Sequence, residues 1–501
     1  MFVRKKKNKS GSISVQVIDK RFGGYKVLKT IGSSKNALEV ERLYQTGKTW
    51  IKNHLGLIEL EFDERAKVNK FIENIEQITI SGTTLLLEKL YNEIGFNKLK
   101  NDLFKALVFS RIIFPSSKLK TTDLLSKYYD IDIHVQKVYR YLDDLYSNQK
   151  EKIQQISYDH TLKILQGKIS IVFYDVTTLY FEIDSEDEIR KRGFSKEGKH
   201  QKPQIILGLL VSLGGYPLAY EIFSGNKFEG HTILPVINRF KEKYNLEQLV
   251  IVADSGLLTG ENIDELKKKG YEFILGARIK NEKEKVKEKI LSLKLSNGES
   301  SIIKKDDLSL VINYSDKRAA KDKFNRQRGL KRLEKQIKSG KLTKANINNR
   351  GYNKYLKMVG DIKISIDHEK FDKDAKWDGL KGYLTNTNLS KEDIIENYKH
   401  LWKIEKAFRI SKHDLKIRPI YHRLHKRIEA HITIAFVAYK IYKELERQLK
   451  EKKAVLTPEK TIEIAKTIYS VKVKIPNTNE YVVKTLLLNN EQRYLAKLFD
   501  L

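Results

Sequence analysis

The chain has 501 residues, 40% of them apolar, no cysteine, and 96 Lys plus Arg against 64 Asp plus Glu, a formal charge of +32. That length supports a large core and roughly two to four domains. The missing cysteines exclude disulfides and Cys-ligated zinc and fit a reducing cytosol, and the basic excess points to a polyanion, nucleic acid first, over a ribosome-associated or merely soluble basic protein.

The longest apolar run, Ile205–Leu213, is too short to span a bilayer, and the basic N-terminus lacks an apolar signal segment, so a cytoplasmic, nucleoid-associated protein is expected. Residues 11–32 alternate apolar and polar around Arg21-Phe-Gly-Gly24, which predicts a β-hairpin preceded by the basic stretch Arg4–Lys9. From 36 to 165 the pattern is mainly helical. Thr121–Tyr128 and Val135–Leu145, joined by Asp130–His134, resemble a helix-turn-helix with Gln136, Lys137 and Arg140 outward toward a major groove; an ordinary helix pair is the alternative.

A strand-rich block follows. Ile169–Asp175 is an apolar, β-branched run closed by a carboxylate; Gln204–Leu213 and Pro217–Phe223 flank a Gly214-Gly215 turn; a helix starts near Glu229. Gln248–Asp254 is a second apolar strand ending in Asp, followed by a helix over about 259–269 and a short strand, Tyr271–Gly276. This is the order of a ribonuclease-H-like core. Residues 277–390 break the pattern and read as an insertion, with strands around Leu356–Ile366 and Gly382–Leu384. Within it, Lys317–Lys344 holds twelve Lys or Arg against two acids, either a solvated helix or a contact to a DNA backbone.

Beyond the insertion, Glu405 precedes Arg409 by four residues and Lys412 by seven, and Tyr398 lies seven before it, which puts all four on one side of a predicted helix. The plain alternative is an amphipathic surface helix. Arg427-Ile-Glu-Ala-His431 opens a long apolar helix to about 448, and the tail from 457 holds one further helix and short extended pieces.

Asp175 and Asp254 each close an apolar strand, and Glu405 sits on a helix. Taken singly, such an Asp is a cap or turn residue. Three carboxylates brought together by this order need cations to neutralise them, and hard oxygen donors favour Mg²⁺ or Mn²⁺ over zinc. Two ions roughly 3.5–4 Å apart suit an in-line phosphoryl transfer.

The motifs also carry a resemblance. Tyr398, Glu405 and Lys412 occupy the Y, E and K places of Y-x2-R-x3-E-x6-K, the signature of bacterial insertion-sequence transposases of the DDE class; its Arg place is Leu401. Phe173–Thr178 resembles the first catalytic block of that family and Val252–Gly256 the second, while Gly193–Lys196, Gln204, Gly208, Gly225-Asn226, Asp378-Gly379 and the Arg418, Pro419, His422, Arg427, His431 stretch extend the match over roughly 169–440. The resemblance is to the subgroup with long N-terminal regions.

What the resemblance implies is an α/β fold: a ribonuclease-H-like catalytic core (166–276 and 391–450) with a mostly β insertion (277–390), preceded by a β-hairpin (1–35) and a mainly helical DNA-binding region (36–165), and followed by a tail (451–501). It further implies two Mg²⁺ or Mn²⁺ ions on Asp175, Asp254 and Glu405, cut-and-paste transposition at terminal inverted repeats, and a homodimer on DNA. Tyr398, Arg409 and Lys412 would hold the end backbone; either Lys403 or a neighbouring basic residue replaces the missing Arg, or the subgroup manages without it. Trp402 would stack on a displaced base, or else pack in the core. His422 and His431 are ligands, phosphate contacts or helix-packing residues. A stand-alone nuclease and a DNA-binding regulator are the rival functions.

Overall fold

The protein, seen in a computed structural model, is described at all residues except 22, 57–63, 196–197, 247–248, 258–259, 341, 344–345, 349–350, 360–362 and 476–477. Phe22, Lys196, Gln248, Lys341 and Lys344 of the sequence motifs therefore lie outside the described residues.

The chain divides into two units, Met1–Ile78 with Val471–Lys484, and Thr79–Ser470 with Thr485–Leu501. In the first, strands β1 (Phe2–Lys7), β2 (Ile13–Asp19) and β3 (Lys26–Ser34) form an antiparallel sheet on which α1 (Ala37–His54) packs; α2 (Glu64–Glu73) and β4 (Ile75–Ile80) follow. The expected hairpin is β2–β3. The basic stretch before it is itself a strand: β1 pairs with β2 from Phe2↔Ile18 to Lys7↔Ile13. It is an edge strand, where lysines are tolerated and blunt further pairing.

The second unit opens with helices α3 (Gly82–Ile94), α4 (Asp102–Ile113), α5 (Lys118–Tyr129), α6 (Val135–Asn148) and α7 (Lys150–Ile164). The predicted helix pair is α5–α6. Ser117 caps α5, its side chain accepting from Lys120 N at 3.2 Å, and His134 caps α6, Nδ1 accepting from Gln136 N at 3.4 Å. Val138, Tyr141, Leu142 and Leu145, at helical spacing, form the buried stripe of α6.

Next come β5 (Ile171–Tyr180), β6 (Gln204–Ser212), β7 (Pro217–Ser224), α8 (Ile233–Tyr244), β8 (Val250–Ala253), α9 (Gly260–Lys268) and β9 (Glu272–Ala277). Residues 277–390 contribute α10 (Glu284–Ser292), β10 (Ser300–Lys305), β11 (Leu308–Tyr314), α11 (Asp316–Lys338), β12 (Leu356–Val359), β13 (Lys363–Ile366), α12 (His368–Ala375) and β14 (Leu380–Thr385). Then follow α13 (Lys391–Lys399), α14 (Trp402–Arg409), α15 (His425–Glu451), α16 (Pro458–Ala465), β15 (Tyr469–Lys474), β16 (Tyr481–Leu486) and α17 (Asn490–Phe499). A small sheet has the order β16-β15-β4. The tail thus carries two helices where one was expected.

The architecture is mixed α/β around one large sheet, in the order β10-β11-β14-β9-β8-β5-β6-β7. Strands β9, β8 and β5 run parallel, and β5-β6-β7 is an antiparallel meander. Residues 277–390, expected as a mostly β insertion, are mixed α and β. Strands β10, β11 and β14 extend the main sheet across the β9 edge, and α11 carries the basic run. Pairing with β9 satisfies backbone groups that an isolated β body would leave at an open edge.

Helices cover both faces of the sheet. One face meets α13, α14, α15 and the α3–α7 bundle, and the other meets α8 and α9. Most side chains of α15 from Ile428 to Leu449 are buried, each large apolar one contributing about 1.5–3 kcal/mol. Among the described residues no helix is long and apolar enough to cross a membrane.

Candidate active site

Strand alternation decides which carboxylates meet. On β5, Phe173 and Leu179 pack beneath α13 and α14, whereas Val172, Tyr174 and Val176 enter the opposite core. Asp175, two residues from Phe173, shares the α13–α14 face. On β8, Val250 and Val252 belong to that same face, and Asp254 follows Val252 by two. The parallel register pairs Phe173 with Val252 and Tyr174 with Ala253. Asp175 and Asp254 are the next residues on each chain, each just past the last paired position of β5 with β8.

Asp175 does not end its strand, as its sequence pattern suggested. β5 runs on to Tyr180, held by β6 from Val172↔Ser212 to Tyr180↔Gln204. What stops at Tyr174 is the pairing with β8. An Asp is tolerated mid-strand here because the sheet opens on its β8 side and leaves the side chain half-exposed.

Glu405 arrives on α14, which packs on β5 and β6 by burying Ile404, Ala407 and Phe408 while leaving Glu405 and Arg409 exposed. The predicted single helix is broken. α13 ends at Lys399, a tight turn follows with Leu401 N bonded to Tyr398 O (3.0 Å) and Ile404 N to Leu401 O (3.1 Å), and a π-helical turn spans Ile410–Asp414. Tyr398 and Glu405 therefore sit on different helices, and Lys412 lies in the π-turn.

The break turns Tyr398 inward. It is 5% exposed, and its hydroxyl donates to Asp254 Oδ1 at 2.9 Å. Burial, reinforced by the Asp254 charge, holds the phenol proton on well above the usual range, which keeps the group a donor. Space for it exists because the facing residue is Gly276: a Cβ there would stand 2.4 Å from Tyr398 Oη. The signature tyrosine is thus buried and bonded to a carboxylate.

Lys381, which sequence reasoning missed, completes this face. It lies on β14 two residues from Tyr383, which pairs with Gly276 across β14–β9. Its Nζ is 4.3 Å from the centre of the Tyr398 ring. Burial and the nearby Arg318 lower its pKa, while Asp254 and Glu405 pull it back up. The ammonium is thus in electrostatic reach of both carboxylates. Beside it opens a cavity of about 770 Å³, lined by Asp254, Arg278, Arg318, Lys354, Lys381 and Trp377 among others.

Three carboxylates without a thiol suit a hard divalent cation. Asp175 and Asp254 follow the last paired residues of β5 and β8, and no three acidic or imidazole groups close into a metal-holding cluster among the described residues. Trp402 is 52% exposed, so the core-packing alternative does not hold. Gln136, Lys137 and Arg140 are exposed on α6 and take no part in this face. Leu401 is buried in the core, and Lys403 donates to Leu213 O at 2.6 Å, so it is committed to the sheet turn rather than replacing the signature Arg.

Other motif residues hold the scaffold. Gln204 Nε2 donates to Phe194 O (2.9 Å) and Gly225 O (3.0 Å), clamping the Gly193 segment to the end of β7. Asp378 pairs with Arg326, and Gly379 takes φ +82°, so that turn locks α11 beside β14. Arg427 grips Asp143 with two bonds (2.8 and 3.0 Å), tying α15 to α6.

Residues 166–441 match the family described as transposase DDE domain, and the chain belongs to that family. Its members are DNA-cleaving, strand-transferring enzymes that use divalent metal ions. No curated protein sequence matches the chain. Among solved structures it is similar to a piggyBac transposase synaptic complex with hairpin DNA, at 9% identity over 72% of this chain and 69% of that one, with a TM-score of 0.39. Two Mos1 transposase paired-end complexes each match at 13% identity over 32% of this chain, covering 53% and 54% of theirs, with TM-scores of 0.16 and 0.15.

Proposed function

We propose that this chain is a cut-and-paste insertion-sequence transposase of the long-N-terminus subgroup, with Asp175, Asp254 and Glu405 holding two Mg²⁺ or Mn²⁺ ions. The observation that supports the reading is the parallel register of β5 and β8, which ends one residue before Asp175 and Asp254, with the helix bearing Glu405 packed on β5. The β9-β8-β5-β6-β7 order fits a ribonuclease-H-like core, with 277–390 inserted in it and 36–165 binding DNA. Divalent cations bound there supply charge neutralisation and nucleophile activation for phosphoryl transfer. The chain's own groups do the rest. Tyr398 orients Asp254 through its hydrogen bond. Lys381 and Arg318 set a positive field over the cavity for DNA phosphates. Trp402, exposed beside Glu405, stacks on a displaced base, and Arg409 and Lys412 hold the end backbone. Gln136, Lys137 and Arg140 contact duplex DNA from α6, and two copies synapse two ends.

The test uses labelled DNA carrying the element's ends, a target plasmid, and Mg²⁺ present or absent. Metal-dependent nicking with strand joining, abolished by Asp175→Ala while end binding persists, is the expected result. Nicking without joining indicates a nuclease, and binding alone a regulator. An Asp175→Ala protein that still cuts overturns the triad.

A further inference from the structure

A second basic pocket, of about 220 Å³, lies where the N-terminus of α5 meets the 416–422 loop and α15. Arg111 and Lys118 line it at 5% exposure each, with His431 at 4%. His422 and the hydroxyl-bearing Ser116 and Ser117 complete the polar wall, and no Asp or Glu lines it among the described residues. Buried cations are ordinarily paired, because desolvating an unpaired charge costs several kcal/mol. Here the pairing is missing. Arg111 donates once, to Lys416 O at 3.2 Å, and its Nε has no partner; no hydrogen bond or ion pair is found for the Lys118 ammonium among the described residues. His431 donates Nε2–H to Ile417 O (2.8 Å), which leaves its buried, unpartnered Nδ1 an acceptor. The pocket opens to solvent beside Tyr421 and Leu119, which are 70% and 59% exposed. The cations depress one another: burial, then Arg111, drives Lys118 well below its ordinary range, and burial with Lys118 and Arg111 pulls His422 down to about 4.

We propose that this pocket is a phosphate-binding site, taking one phosphodiester group of bound DNA between Arg111 and Lys118, with His422 and the Ser116 and Ser117 hydroxyls on its wall. A tetrahedral anion at the first turn of α5 supplies the missing counter-charge and acceptors for the idle Arg111 and Lys118 donors. The pocket is remote in sequence from Asp175 and Asp254 and shares no lining residue with the cavity beside them. It gives the Arg418-to-His431 stretch a ligand-holding role. The DNA source of the phosphate rests on the function proposed above; the pocket itself does not.

The experiment follows thermal unfolding of the full chain in sodium phosphate and in sodium chloride at matched ionic strength, for wild type and Lys118→Met. Wild type should gain a saturable phosphate-specific rise in Tm that the variant lacks, and the variant should unfold later than wild type in chloride, having lost an uncompensated buried charge. Lys118→Gln replaces it if circular dichroism shows Lys118→Met misfolded. Salt titration of duplex-DNA binding should then give a log–log slope lower by about one in the variant. An identical phosphate response in wild type and variant overturns the site. A lost phosphate response with an unchanged DNA slope means that the pocket takes a free phosphate, and overturns the backbone assignment. A lost response in a chain that binds no DNA leaves the pocket standing and sinks the transposase reading instead.

Discussion

Tyr398→Phe separates two accounts of the signature tyrosine. The substitution removes one oxygen and nothing else: the ring keeps its edge-on packing against Tyr383 (centroids 4.9 Å apart) and its place under Lys381. What disappears is the 2.9 Å bond to Asp254 Oδ1. A hydrogen bond to a charged group is worth about 1.5–3 kcal/mol, and Asp254 is exposed, so water recovers part of it and the lower end applies. About 1.5 kcal/mol is roughly tenfold in rate or metal affinity, within the span of about 10–100-fold seen for partners of metal ligands. The assay is end cleavage across a Mg²⁺ titration, beside end binding by mobility shift. The variant should cut about tenfold more slowly at limiting Mg²⁺, recover as Mg²⁺ saturates, and bind ends like wild type. Unchanged cleavage at every Mg²⁺ concentration refutes the positioning role. Lost end binding with an unchanged Mg²⁺ midpoint restores the direct DNA contact that the signature implied.

Gly276→Ala should reproduce that loss, since its Cβ would stand 2.4 Å from Tyr398 Oη, and should cost about 1–3 kcal/mol of stability by overpacking, part of it recovered in Gly276→Ala/Tyr398→Phe. Denaturant midpoints of the three variants check this. Lys381→Met removes a cation from the field of Asp254 and Glu405, so its Mg²⁺ midpoint for cleavage should fall several-fold; an upward shift would contradict the placement. Lys440 is fully buried on α15, donating to Ser157 O (3.0 Å) and Thr161 Oγ1 (2.5 Å), and burial lowers its pKa from 10.5 to about 7. Between those values the unfolded chain binds more protons than the folded one, so this group makes stability rise with pH from about 7 to 10.5, by on the order of 5 kcal/mol in total. Lys440→Met should flatten that slope in denaturant melts run at several pH values.

The local pattern determined a good deal. Apolar, β-branched runs placed β5, β8 and β9 within a few residues, because a strand buried on both faces needs such side chains over its whole length. Cap residues and a helical stripe marked α5 and α6, and the two Asp and one Glu were picked out by where they fall relative to those runs. Periodicity alone could not tell that the signature segment is two helices and a π-turn, since its residues also fit one unbroken helix. The break is set by where Leu401 and Ile404 find the core. Nor could it find Lys381 or Gly276, whose roles exist only because β14 pairs with β9, or the pocket joining Arg111 and Lys118 to His422 and His431 some 300 residues away. Alternation and capping are interactions between neighbours along the chain, written in the sequence itself. Register, sheet order and the desolvation that shifts a buried charge arise between distant segments, and only the folded packing decides them.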